Sequence, residues 1–447
     1  MSFINHIYQT IALALPMIIA RAGLLVMVAV DTAMVGHYGT EPLAFYAASN
    51  AMQIVMLLIG VGVAQGTVIL VAQAKGSGND LLCGHIWRSG LIQAFLFGII
   101  MGGICLLGEP MLLLFGQNQN IAAGGGEILR WISWGFPAFM IWACTGFFLE
   151  GLGKPLPGMI IMISAVILNT LLDWMFIFGE LGAPEMGAEG AALTTSIVRW
   201  IMMFALLFYL FCAINREKLG IKGPIRDFLS IAKQHGKIGL PLGLQRGLEA
   251  ASFSALTMFA GWLGTNALAS YQIAFNLIAL AFMCAIGTAG ACTVRVGNAV
   301  GRNSPDDLVK AGLSGIIIVI FIMVIVMIFY TTAAESLANI YTNDLLVSEI
   351  AAALIVLAGI ILVFDGLQAV LIGCLRGTSD VWIPSFLQIF AWWGLTVPIG
   401  WYLSLHTDLG AKGLMLAFLI GSIAASILLG FRFYKISRNS SKSSHNL

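Results

Sequence analysis

LPMIIARAGLLVMVAVDTAMVGHYGTEPLAFY at residues 15–46 is followed, 225 positions later, by LPLGLQRGLEAASFSALTMFAGWLGTNALASY at residues 240–271. That shift pairs Pro16 with Pro241, Gly39 with Gly264, Thr40 with Thr265, Leu43 with Leu268, Ala44 with Ala269 and Tyr46 with Tyr271. Gly62 with Gly287 and Gly76 with Gly301 extend the match without a gap. Later, GAEGAAL (187–193) resembles GAKGLML (410–416) at nearly the same offset. The chain is two copies of one design.

Each copy is too apolar to be a soluble domain. Hydrophobic residues make up 59% of the 447 residues and charged residues 10%, against roughly 45–50% and 25% in soluble domains. A helix needs about 20 apolar residues to span a bilayer. Such runs fall at 11–35, 43–73, 86–107, 128–149, 157–178, 188–213, 238–262, 268–294, 311–332, 350–373, 382–404 and 413–431. The expected fold is therefore an all-α integral membrane protein with twelve transmembrane helices, in two six-helix lobes related by a parallel pseudo-twofold repeat. The expected lobes are 1–214 and 238–447, the second ending in a basic tail, joined by the connector 215–237. Six helices per copy make the repeats parallel, an arrangement that transporters use with their substrate path at the repeat interface.

Seventeen Lys and Arg residues, including Arg216, Lys222, Arg226 and Lys442, fall on the side of the two termini, and only Arg130 and Lys412 on the other. The positive-inside rule then puts both termini in the cytoplasm of a cell inner membrane. The first apolar run has no Lys or Arg ahead of it and continues to Val35, so it reads as a retained helix and not as a cleaved signal.

A net charge of +1 argues against a nucleic-acid surface. Seven scattered cysteines without CxxC spacing read as small core residues. The absence of GxxxxGK[ST], HExxH and GxSxG leaves no nucleotide cradle or hydrolytic motif, so an ion gradient is the expected energy source and the chain is not expected to be an enzyme. All six histidines lie in loops, tails or helix ends, which leaves coupling to carboxylates.

Ionisable side chains inside a membrane cost about 2.5–3.5 kcal/mol each on insertion scales, so each needs a reason. The acids are Asp31, Asp173, Glu249 and Asp365; the bases are Arg21, Arg199 and Arg246. Asn169 stands one turn before Asp173, and an amide beside a carboxylate suits a hard cation or a shared proton. It equally suits a packed polar contact with no ion. Arg246 is one turn before Glu249, which leaves a structural ion pair open there. Asp365 has no base within a turn. Arg21 and Arg199 read as helix anchors or as neutralisers of an acid rather than as substrate ligands.

LALPMI followed by the helix-1 acid, the LAxY element, GLPLGLQRGLE on the seventh helix and FDGLQAVLIGCLRGTSD on the tenth together resemble the multidrug and toxic compound extrusion (MATE) family, over nearly the whole chain. The resemblance implies a Na⁺- or H⁺-coupled antiporter that exports organic cations through a V-shaped cleft between two lobes. Glu249 and Asp365 look like the C-lobe cation site of the NorM branch, a Na⁺ site in its Na⁺-using members. Gln272, Asp344 and Asp365 fall where that branch contacts cationic drugs. Asp31, Asn169 and Asp173 look like the N-lobe acid cluster of the DinF branch. Ile361 departs from the pattern, since relatives can carry a tyrosine there. The expected partners are small cationic drugs, Na⁺ or H⁺ and the bilayer, with no cofactor, no nucleic acid and a monomeric state. A lipid-linked oligosaccharide flippase on a related scaffold is the alternative, disfavoured because its pyrophosphate head group calls for a more cationic cavity.

Overall fold

The computed structural model describes residues 2–215, 217–221 and 227–445, without the side chains of 440–445. Part of the connector, with Arg216, Lys222 and Arg226, and the Lys442 side chain lie outside the described residues. Among the described residues there are helices and no strand.

The first half comprises α1 (Phe3–Tyr38), α2 (Thr40–Ala64), α3 (Gly66–Gly76), α4 (Asp80–Cys105), α5 (Gly108–Leu114), α6 (Gln119–Ser133), α7 (Gly135–Gly151), α8 (Leu156–Phe178) and α9 (Ala188–Ala213). The second comprises α10 (Phe228–Trp262), α11 (Thr265–Gly301), α12 (Pro305–Thr332), α13 (Ala334–Tyr341), α14 (Leu345–Gly377), α15 (Trp382–Ile389), a π-helical turn at Phe390–Thr396, α16 (Val397–Leu405) and α17 (Ala411–His445).

Ten spans are long and apolar enough to cross a membrane, counting α2 with α3 and α15 through α16 as one each. The eleventh is α6 with α7, bent by 48° at Trp134. The twelfth is α10, whose 35 residues rise about 52 Å; Lys233, Lys237, Arg246 and Glu249 keep its hydropathy low. All twelve expected crossings have their helix, and several outrun the apolar run that revealed them. Helix α1 starts at Phe3 rather than residue 11, because helix capping and hydropathy end at different places.

By packing, the chain divides into two compact units drawn differently from the sequence repeat. One holds Met1–Ile18, Gly76–Gly78 and Leu244–Leu447; the other holds Ile19–Lys75 and Asn79–Gly243. We call them the C-unit and the N-unit. The breaks at Ile18 and Gly243 are themselves 225 positions apart and each follows a proline, Pro16 or Pro241, by two residues. Proline removes a donor from the helix ladder and crowds the preceding turn, so each first helix is weakest where its packing changes partner.

Glycines let the backbones approach at these places. In the N-unit a Cβ on Gly62 of α2 would stand 2.6 Å from Leu242 O and 2.7 Å from Gly243 Cα of α10. In the C-unit the repeat-related Gly287 of α11 would meet Ile18 N of α1 at 2.7 Å. Small residues at such crossings are how membrane helices gain dispersion contact without a hydrophobic driving force. The C-unit core continues through an aromatic cluster in which Trp392 packs edge-on to Phe253 and Phe418, centroids 5.0 and 5.1 Å apart.

Candidate coupling sites

The N-unit collects the sequence trio into one hydrogen-bonded group. Asn169 Nδ2 donates to Asp31 Oδ1 and to Asp173 Oδ2, both at 2.6 Å. Tyr46 OH and Thr195 Oγ1 donate to Asp31 Oδ2 at 3.3 and 3.2 Å. Asp31 lies on α1, Tyr46 on α2, Asn169 and Asp173 on α8 and Thr195 on α9, so four helices converge. Asp31 is 2% exposed, and Asn169 and Asp173 are fully buried. Among the described residues neither carboxylate has an ion-pair partner, while Asn169 Oδ1 and Asp173 Oδ1 are left without a hydrogen-bond partner. Two buried carboxylates and a free amide oxygen can take a proton or a small cation.

The C-unit acids behave differently from each other. Arg246 Nη1 donates to Glu249 Oε2 at 3.2 Å, with side chains 16% and 8% exposed, so Arg246 stays on Glu249 and does not reach away to the interface. Gln388 Nε2 donates to Glu249 Oε1 at 3.4 Å, and Gln388 in turn is bonded to Gln245. Gln245 Oε1 accepts from Arg376 Nη2 at 3.3 Å and from Ser385 Oγ at 3.2 Å. Glu249 thus accepts from Arg246 and Gln388, the latter held in a wider network through Gln245. Asp365 is 3% exposed and accepts a hydrogen bond from Gln368 Nε2 at 2.5 Å. It interacts with Glu249 through charge, with no hydrogen bond between them.

The Arg246–Glu249 pair has a counterpart in the N-unit. Arg21, which the 225-residue shift relates to Arg246, pairs with Glu150 of α7 at 2.9 and 3.2 Å and lies over the Phe147 ring. Glu150 closes an apolar run that ends at residue 149, so hydropathy alone set it aside. The equivalence of the two arginines was the available signal. Each unit thereby owns an ion pair five residues beyond its proline and, among the described residues, a buried carboxylate site with no ion-pair partner.

The remaining sequence candidates are dispersed. Gln272 is exposed on α11. Asp344 is the N-cap of α14, its Oδ1 accepting from Leu346 N at 2.9 Å and Val347 N at 3.2 Å. Ile361 is fully buried in the α14 core. Tyr46, Thr195, Gln245 and Gln388 are additions that no charge penalty marked in the sequence.

Twelve crossings in a doubled pattern, with acids buried in both units, define a multi-pass membrane transport scaffold. The MatE family model matches residues 16–175 and 241–402, two stretches whose starts are again 225 apart. The chain belongs to the MATE family. The probable multidrug resistance protein NorM of Xanthomonas campestris pv. campestris is 30% identical over 444 residues, 98% of this chain and 95% of that protein. The multidrug resistance protein PmpM of Pseudomonas aeruginosa is 30% identical over 437 residues, 96% of this chain and 91% of its own. Among solved structures, the eukaryotic MATE transporter AtDTX14 superposes with a TM-score of 0.89 at 20% identity, covering 99% of both chains. A MOP superfamily transporter from Pyrococcus furiosus gives 0.87 at 21%, covering 98% of this chain and 97% of its own.

Proposed function

We propose that this protein is a secondary active multidrug efflux antiporter of the cell inner membrane, exporting organic cations in exchange for inward Na⁺ or H⁺ by alternating access. The observation that carries the reading is the N-unit group: Asp31 and Asp173, buried in apolar protein, joined through Asn169 and, among the described residues, in no ion pair. Leaving both carboxylates bare at that depth costs several kcal/mol, so a proton or a cation must occupy the site for most of a cycle. Asp365 supplies a second such carboxylate in the C-unit, with Glu249, paired to Arg246, as its neighbour. The names of the relatives at 30% identity support drugs as cargo.

A cationic drug and the coupling ion are drawn to the same negative groups, so inward ion flow can release bound drug outward. Na⁺ is the preferred ion, because paired carboxylates with a free amide oxygen offer the hard oxygen ligands it takes. The test is efflux of a cationic dye from preloaded proteoliposomes with an imposed Na⁺ gradient, constant pH and a protonophore present. Stimulation by Na⁺ is expected. Stimulation by a pH gradient alone would exchange the ion and keep the antiporter; indifference to both would end the antiport reading.

A further inference from the structure

Arg199 of α9 is a buried guanidinium without a job in the sites above. It is 6% exposed, and among the described residues it makes no hydrogen bond and no ion pair. Its charge rests on the rings of Phe136 and Phe139 of α7, 5.3 and 5.4 Å from their centroids, and Nη1 has no partner. Such a cation inside a membrane protein calls for a functional account.

Its position supplies one. Thr195, one turn earlier on the same helix, donates to Asp31 Oδ2, and so does the Tyr46 hydroxyl. The guanidinium interacts electrostatically with Tyr46, Asp31 and the Cys105 thiol. The acids outside that group on the helices packed against α9 are engaged: Glu150 with Arg21, Glu127 with Arg130 and Glu41 with Asn120. The one acid near Arg199 that lacks a cation belongs to the Asp31 group.

We infer that Arg199 is the standby counter-cation of the Asp31–Asp173 site. While an ion or proton occupies the carboxylates, the guanidinium stays on its two rings. When that occupant leaves, Arg199 takes hydrogen bonds to Asp31, with Tyr46 and Thr195 as the adjoining polar groups. Its own burial has already been met during folding, and it stands one turn after Thr195, which already reaches Asp31. Arg199 is therefore a positioning residue for release of the coupling ion, and this role rests on the antiport reading above.

The experiment compares wild type, Arg199→Met, Arg199→Gln and Arg199→Lys in proteoliposomes, each first checked for monodispersity in detergent. Three quantities are read: gradient-driven dye efflux, dye–dye exchange without a gradient, and the ion concentration giving half-maximal effect. With no standby cation, the Met and Gln variants should hold the coupling ion tighter, by about 5–150-fold, the span usual for coupled sites. Their gradient-driven efflux should fall while dye–dye exchange persists, and Lys should restore part of the drive. A neutral variant with the ion dependence of wild type overturns the role. So does equal loss of both transport modes without rescue by Lys, which would mark Arg199 as packing only. A wild type indifferent to Na⁺ and H⁺ gradients overturns the antiport reading with it, and is told apart because it appears before any substitution is made.

Discussion

At the scale of single residues, an acid in the membrane is legible because it is expensive, and its partner is not. Helical spacing joined Asn169 to Asp173 and only the family resemblance added Asp31, and the structure brings the three together. Tyr46, Thr195, Gln245 and Gln388 carry no such cost and disappear among ordinary polar residues. Glu249 differs, since the ion pair that helical spacing left open with Arg246 is present. Two substitutions separate these roles. Asp365→Asn should reduce dye export to background with normal membrane expression, because it removes the C-unit carboxylate that has no cation; wild-type efflux at normal protein level would refute this. Arg246→Met should destabilise the protein by about 3–5 kcal/mol, the usual consequence of stranding one member of a buried pair. Adding Glu249→Leu should recover most of that loss in thermal unfolding. A double variant as unstable as the single one would show that the pair is not what Glu249 contributes.

At the scale of helices, hydropathy found all twelve crossings and misplaced their ends and breaks. The 48° bend at Trp134 and the π-helical turn at Phe390–Thr396 leave no gap in apolar character, so no run of residues announced them. The passage of α1 and α10 between packing units was hidden for another reason: it depends on which neighbours the two helices meet. Pro16 and Pro241 were its visible trace. Gly62 and Gly287 are where the consequence can be measured, as a Cβ at either would lie within 2.7 Å of backbone atoms of α10 or α1. Gly62→Val and Gly287→Val should each lower stability by about 1–3 kcal/mol through overpacking, read as a lower unfolding midpoint in detergent. Gly103→Ala in α4, whose Cβ would meet nothing within 4 Å, should leave the midpoint unchanged or raise it, by about 0.5–1 kcal/mol. Equal effects at all three glycines would remove the claim that the crossings need them.

At the scale of the whole molecule the repeat and the chemistry separate. The 225-residue shift carries prolines, glycines and the arginines Arg21 and Arg246 from one half to the other, yet sends Asp31 to Leu256 and Glu249 to Leu24. The duplicated scaffold keeps what packing requires and differs between its halves at the buried acids. Orientation is the whole-molecule property that the sequence states most directly. The proposed cytoplasmic placement of the termini and the 215–237 connector rests on seventeen Lys and Arg residues on one side against Arg130 and Lys412 on the other, because cationic loops resist translocation. This is testable with one cysteine at a time in a background lacking the exposed Cys212. Lys412 and Lys154 are both exposed, on opposite expected faces. Lys412→Cys should react with a membrane-impermeant maleimide in intact cells, whereas Lys154→Cys should react only after permeabilisation. The reverse pattern would invert the protein, and with it the direction in which the ion and the drug are proposed to move.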